Sequence, residues 1–173
     1  MERLRVVGLG NPIYGDDGFG SCLAQYLSLF NDFVLDGNAH GVGILGNLTD
    51  ANVLVFIDVD IRLPPGAVAL ERIEGSLTVD ETRMVDAHRA PPSLLVGYLR
   101  AMGKPVEAYL VAVGPRRIEP MAPPSREVLE ASPKAVALLK EVLGKYGVEL
   151  KVEGDPRGAV EECYKRALGW RTS

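Results

Sequence analysis

Three side chains of this 173-residue sequence stand where chemistry can be done: Asp17, Asp58 and His88. Asp17 is the second of two adjacent carboxylates in VVGLGNPIYGDDGFG, Val6 to Gly20, where a β-branched run stops at a glycine-rich turn before a helical pattern begins. Asp58 follows five apolar residues, VLVFI, and opens the triplet Asp58-Val59-Asp60. His88 ends the loop segment Val85-Asp86-Ala87-His88, just ahead of Pro91-Pro92 and a helical pattern. If the sheet is parallel at its centre, the strand ends bearing Asp17 and Asp58 share the edge where open α/β sheets place their ligands. The chain has only two histidines, which makes His88 the natural third member. Two carboxylates and one imidazole suit a divalent transition ion with coordination positions left open, and do not choose between nickel, iron, zinc and manganese. Plainer readings stand beside this one. Asp16 and Asp17 favour the positive end of the following helix, Asp58 helps close a turn, and a histidine in a solvated loop needs no function. His40, in GNAHGVGILGNL, is the alternative imidazole, although a capping or exposed place near a helix start is its favoured reading.

Other chemistries find little support. The sequence holds no G-x-S-x-G elbow, no H-E-x-x-H helix and no phosphate-binding G-x-x-x-x-G-K-[ST] loop. The first turn supplies Gly8-x-Gly10, but the third glycine of a dinucleotide fingerprint falls at Ile13; Asp36 resembles the ribose-binding acid of that pattern, and an acidic pair in the path of a pyrophosphate argues against it. A net charge of −4 and a pI near 5.3 give no case for broad binding to nucleic acid or to an anionic membrane. No window approaches the ~20 apolar residues of a membrane span, and the N-terminal apolar run is too short for a signal-peptide core. A cytoplasmic protein is the default expectation. Cys22 and Cys163 form no CxxC pair; Cys22 reads as a buried free thiol, with no disulfide framework or zinc knuckle to be built from the two.

The elements that must position these residues follow from periodicity. Arg3–Leu9, Phe33–Leu35, Val53–Ile57 and Ala108–Val113 read as strands, and Ala67–Ile73, which ends in charge, as an edge strand. Gly18 to Phe30 carries Cys22, Leu23, Tyr26, Leu27 and Phe30 at helical spacing, and the helix after Pro91-Pro92 buries Leu94, Leu95, Tyr98 and Leu99. A further short helix is expected in the glycine-rich segment after Asn38. A long helix from about Arg126 to Tyr146 is expected to be interrupted or divided near Pro133, with Gly147 as its C-cap. Val148–Val152 could add a strand and Ala159–Leu168 a last helix. Strands separated by helices point to one three-layer α/β domain over residues 1–173, with 148–173 as a C-terminal extension packing on it.

Four motifs in order, GLGNPIYGDDGFG, VFIDVD, DAH before a helix and AVGPRRIEP, resemble those of the endopeptidases that mature nickel–iron hydrogenases. The resemblance runs from about Leu4 to Tyr146. It implies a mixed, mostly parallel five-stranded sheet in an α/β/α sandwich. It also implies cleavage of a peptide bond near the C-terminus of the hydrogenase large-subunit precursor, with nickel already in that precursor as the recognised feature. Asp17, Asp58 and His88 then fall at the metal-ligand positions, in a site empty or loosely occupied by another divalent metal without substrate. Metal-assisted hydrolysis is the mechanism expected, with Asp16 or Asp60 as a supporting group or base. His40 stands where the family pattern suggests a small or hydroxyl residue, which bears on metal or substrate preference. A monomer is expected. A non-catalytic metal-binding or delivery protein and a nucleotide-binding α/β protein are the alternatives. GLGNP also opens peptidyl-tRNA hydrolases, but the acidic GDDGFG replaces the histidine those need as a base, and that reading is rejected.

Overall fold

The computed structural model describes residues 3–38, 41–78 and 90–170. His40 and His88, with the rest of 79–89, lie outside the described residues. β3 (Val53–Val59) is the centre of the sheet, and all seven of its residues are buried. Such a continuous apolar run suits a strand covered on both faces. β3 pairs in parallel with β1 (Leu4–Gly8) on one side and β5 (Glu107–Val113) on the other. Short β2 (Val34–Asp36) extends the sheet in parallel beyond β1, while β4 (Val68–Arg72) closes the other edge antiparallel to β5. The order is β2-β1-β3-β5-β4, a mixed and mostly parallel five-stranded sheet.

Period-two alternation divides the apolar residues between two cores. Val6, Val55, Ile57, Val111 and Val113 face a core completed by α1 (Phe19–Ser28), α3 (Arg126–Gly144) and α4 (Pro156–Ala167). Val7, Leu54, Phe56, Leu110 and Ala112 face the other core, with α2 (Pro92–Ala101) and Ile44 of a 3₁₀ segment, Gly41–Asn47. Helices on both faces of the sheet make the expected α/β/α sandwich.

Four local expectations are corrected. Cys22 and Cys163 are not free thiols: they form a disulfide between α1 and α4, with a Cα–Cα distance of 5.5 Å across 141 residues of sequence. Sequence distance hid a pairing that the docking of α4 on α1 creates. Nor is α3 divided at Pro133, which sits inside one continuous helix. Pro133 is on the exposed face, where the carbonyl left by its missing N–H can turn to water. Tyr98 is exposed, because the buried arc of α2 centres on Leu95, Val96 and Leu99 and leaves Tyr98 at its rim. Finally, 148–152 joins no strand of the sheet. The Asn31 side chain supplies the pairing instead, donating to the Lys151 carbonyl at 2.8 Å and accepting from the Lys151 N–H at 2.9 Å.

Candidate active site

The turn that carries the acidic pair is built by close backbone packing. A Cβ on Gly20 would stand 2.2 Å from the Ile57 carbonyl oxygen, and one on Gly8 would stand 2.0 Å from the Gly20 carbonyl oxygen. With hydrogen there, the start of α1 rests directly on the carboxyl ends of β1 and β3. Leu9 N–H donates to the same Ile57 carbonyl at 2.9 Å. Asp58 is the next residue along β3, and Asp17 lies three residues before Gly20 in a 3₁₀ turn, Gly15–Gly18. The fold thus brings the turn of Asp17 against the strand end of Asp58.

Both carboxylates are buried, Asp17 at 1% and Asp58 at 3% exposure. One oxygen of Asp17, Oδ2, accepts from the Asn11 N–H at 3.0 Å. One oxygen of Asp58, Oδ1, accepts from the N–H of its own neighbour Val59 at 2.8 Å. A backbone donor therefore orients each of them. By alternation with Leu54 and Phe56, Asp58 projects on the α2 face of the sheet.

Asp16 does something different. Its Oδ2 accepts from the N–H groups of Arg116 at 2.8 Å and Arg117 at 3.0 Å and from the Ser125 hydroxyl at 2.8 Å, while Oδ1 accepts from the Ser125 N–H at 2.6 Å. Its own N–H donates to the Arg117 carbonyl at 2.9 Å. Ser125 is also the N-cap of α3, accepting from Val128 N–H. A buried carboxylate at that helix start is favoured by the positive end of α3 and by four donors. Asp16 is the clamp that joins the first turn to the β5–α3 connection. Asp60 closes the turn after β3, accepting from Arg62 N–H at 2.9 Å and pairing with its guanidinium at 2.7 Å. It too has a structural task, that of holding the turn after β3.

Reading the sequence missed Ser125 and the backbone of Arg116 and Arg117 as parts of this assembly. The signal was present in AVGPRRIEP and in a serine three residues before Val128, but nothing local links those residues to Asp16. Asp36, the acid that resembled a ribose ligand, instead accepts from the Ser21 hydroxyl at 2.8 Å and from Asn38 N–H at 2.9 Å. With two buried acids in the turn ahead of α1, the site repels the phosphates that helix N-termini otherwise attract.

Asp17 and Asp58 supply the anionic oxygen donors that a divalent ion requires. Among the described residues no group of three His, Cys, Asp or Glu side chains is placed to hold an ion. The third expected ligand, His88, lies outside them.

Comparison with known proteins gives this geometry a context. The family model described as HycI, hydrogenase maturation protease, matches residues 20–142, well over half of the chain. The chain belongs to the hydrogenase maturation protease family. The matched span of the protease includes Asp58, His88 and the β5–α3 connection, and begins just after Asp17. It is similar to the hydrogenase expression/formation protein HupD of Bradyrhizobium diazoefficiens, with 26% identity over 166 residues, 90% of this chain and 85% of that one. Among solved structures, the hydrogenase maturating endopeptidase HybD from E. coli superposes with a TM-score of 0.71 at 25% identity, covering 85% of this chain and 95% of that one. The hydrogenase 2 maturation peptidase from a Thaumarchaeota archaeon gives 0.60 at 30% identity, over 83% and 99% of the two chains. The protease is therefore an endopeptidase of hydrogenase maturation, with the mixed sheet and flanking helices of those structures.

Proposed function

We propose that the protease removes the C-terminal extension of a nickel–iron hydrogenase large-subunit precursor, and that Asp17, Asp58 and His88 engage the nickel the precursor already carries. The observation that carries this reading is the pair of buried carboxylates, each oriented by a backbone N–H, on neighbouring strand ends of a hydrogenase maturation protease. Three protein ligands with open positions suit an ion that substrate side chains hold at the same time. Substrate-borne nickel, once engaged, can polarise a carbonyl or a water as a Lewis acid. The chain's own part is to bind and align. Asp17 and Asp58 neutralise charge and fix the approach of the precursor, and the donors from Asn11 and Val59 keep the carboxylates from turning away. Exposed apolar side chains stand on the connections around this end of the sheet: Ile13 and Tyr14 after β1, Ile61 after β3 and Met121 after β5. Met121 N–H donates to the Ile13 carbonyl at 2.6 Å, which joins two of those connections into one rim. Such a rim suits a polypeptide substrate.

The same reading has the protease working as a cytoplasmic monomer. Among the described residues no helix is long and apolar enough to cross a membrane. The test incubates the protease with nickel-loaded and nickel-free precursor and follows the precursor's mass. Trimming of the loaded form alone is expected, with at least ~100-fold loss in Asp17→Asn and Asp58→Asn, on the scale of removing one oriented catalytic group. Trimming that ignores nickel, or that survives both substitutions, overturns the reading.

A further inference from the structure

The C-terminal helix α4 lies beyond the residues that the family model matches, yet it reaches the turn of the acidic pair. Tyr164 is fully buried, and its hydroxyl donates to the Gly15 carbonyl at 2.6 Å across 149 residues of sequence. A buried phenol needs a polar partner, and here the partner belongs to the turn that presents Asp17. The preceding residue, Cys163, is joined covalently to Cys22 of α1. Consecutive residues of α4 therefore hold the chain on both sides of Asp17, two residues before it through Gly15 and five residues after it through Cys22.

The bracket acts on a turn with little other freedom. Gly15 has φ of +59°, and a Cβ there would stand 2.8 Å from the Arg117 carbonyl oxygen. That conformation is costly for other residues and turns the Gly15 carbonyl toward α4. Asp16, the next residue, is locked by its four donors. Without Tyr164, the Gly15 carbonyl loses its side-chain donor from α4 and keeps only the pairing internal to its 3₁₀ turn, so the turn is less firmly held. Burial, reinforced by the charges of Asp16 and Asp17, pushes the Tyr164 hydroxyl well above the usual tyrosine range, so it keeps its proton and remains a donor.

We propose that Tyr164 is a positioning residue of the peptidase: its hydroxyl, fixed by the neighbouring disulfide, holds the Gly15 carbonyl and so sets the placement of Asp17. The proposal rests on the metal-guided reading of Asp17 given above. It differs from a packing role, because the ring alone fills the space between α4 and the turn, and only the hydroxyl reaches Gly15.

The test compares the full chain with Tyr164→Phe, which keeps the ring and removes the donor. Two readouts are taken well below the unfolding temperature: steady-state trimming of nickel-loaded precursor, and amide hydrogen exchange. The expected result is kcat lowered about tenfold with KM unchanged, together with faster exchange at the Asp16 and Asp17 amides and unchanged exchange within α3. Unchanged kcat, or exchange that accelerates uniformly through the chain, reduces Tyr164 to a stabilising residue and overturns the proposal. If the unaltered protease fails to trim the precursor, the functional reading falls first. The exchange arm then decides alone, with unchanged Asp16 and Asp17 amides overturning the positioning role.

Discussion

Asp16 and Asp17 are adjacent, equally charged and equally buried, and their surroundings assign them opposite tasks. Asp16 meets four donors from the β5–α3 connection, while Asp17 meets the Asn11 N–H of its own loop. Removing the first should cost stability and removing the second should cost chemistry. Asp16→Ala strands the buried donors of Ser125 and the N–H groups of Arg116 and Arg117, and is expected to destabilise the protein by about 3–5 kcal/mol. Asp16→Asn is expected to cost less, since its carbonyl oxygen can face the three donors on one side while its NH₂ opposes only the Ser125 N–H. Urea unfolding measures both. An Asp16→Ala variant as stable as the parent would remove the clamp from the account. At this scale the sequence shows an acidic pair and cannot divide its labour, because the partners of Asp16 stand 100 to 109 residues away.

Among the elements, α1 is the one whose seating sets the site. Its first turn has no side chain between it and the ends of β1 and β3, only the two glycines Gly8 and Gly20. Gly20→Ala would place a methyl 2.2 Å from the Ile57 carbonyl oxygen and 2.4 Å from that of Leu9, so α1 must lift off the strands. A loss of about 3 kcal/mol is expected, on the scale of severe overpacking, together with loss of precursor trimming at temperatures where the variant is still folded. Gly144→Ala, in α3 where a Cβ would meet nothing within 4 Å, serves as the control: trimming should be unchanged and stability should not fall, with a gain of up to about 1 kcal/mol from helix propensity. Thermal unfolding and a trimming assay on the two variants check the pair of outcomes. The glycines were visible in GLGNPIYGDDGFG as a turn signal. Their role in close helix–strand approach comes from the register that sets Gly8 beside Ile57.

Across the whole molecule, α1 and α4, the first and last α-helices of the described residues, are fastened to each other. α4 packs on α1 and α3, buries Val160, Cys163 and Tyr164, and is tied to α1 by the Cys22–Cys163 bond. A cross-link over 141 residues restricts the unfolded chain strongly, and its removal is expected to cost about 2–5 kcal/mol. Denaturant midpoints of the parent, oxidised and after reduction by a dithiol, and of Cys22→Ala/Cys163→Ala measure this. Equal midpoints in all three would mean that the bond contributes nothing to stability. Both sulfurs belong to buried residues, so reduction is expected to be slow until the protein partly opens.

Local pattern determined much of this protein. Apolar runs marked β1, β3 and β5, helical spacing marked α1 and α2, and the order of motifs carried the family. Those features depend on residues a few positions apart, which secondary-structure periods and turn chemistry read directly. Tertiary structure decided the rest: the Cys22–Cys163 pairing, the continuity of α3 through Pro133, the Asn31–Lys151 pairing, and the holds of Ser125 on Asp16 and Tyr164 on Gly15. Each joins groups far apart in the chain or depends on which face of a helix meets water. No local propensity encodes such a contact, because its energy appears only once the sheet and its two helical layers have packed.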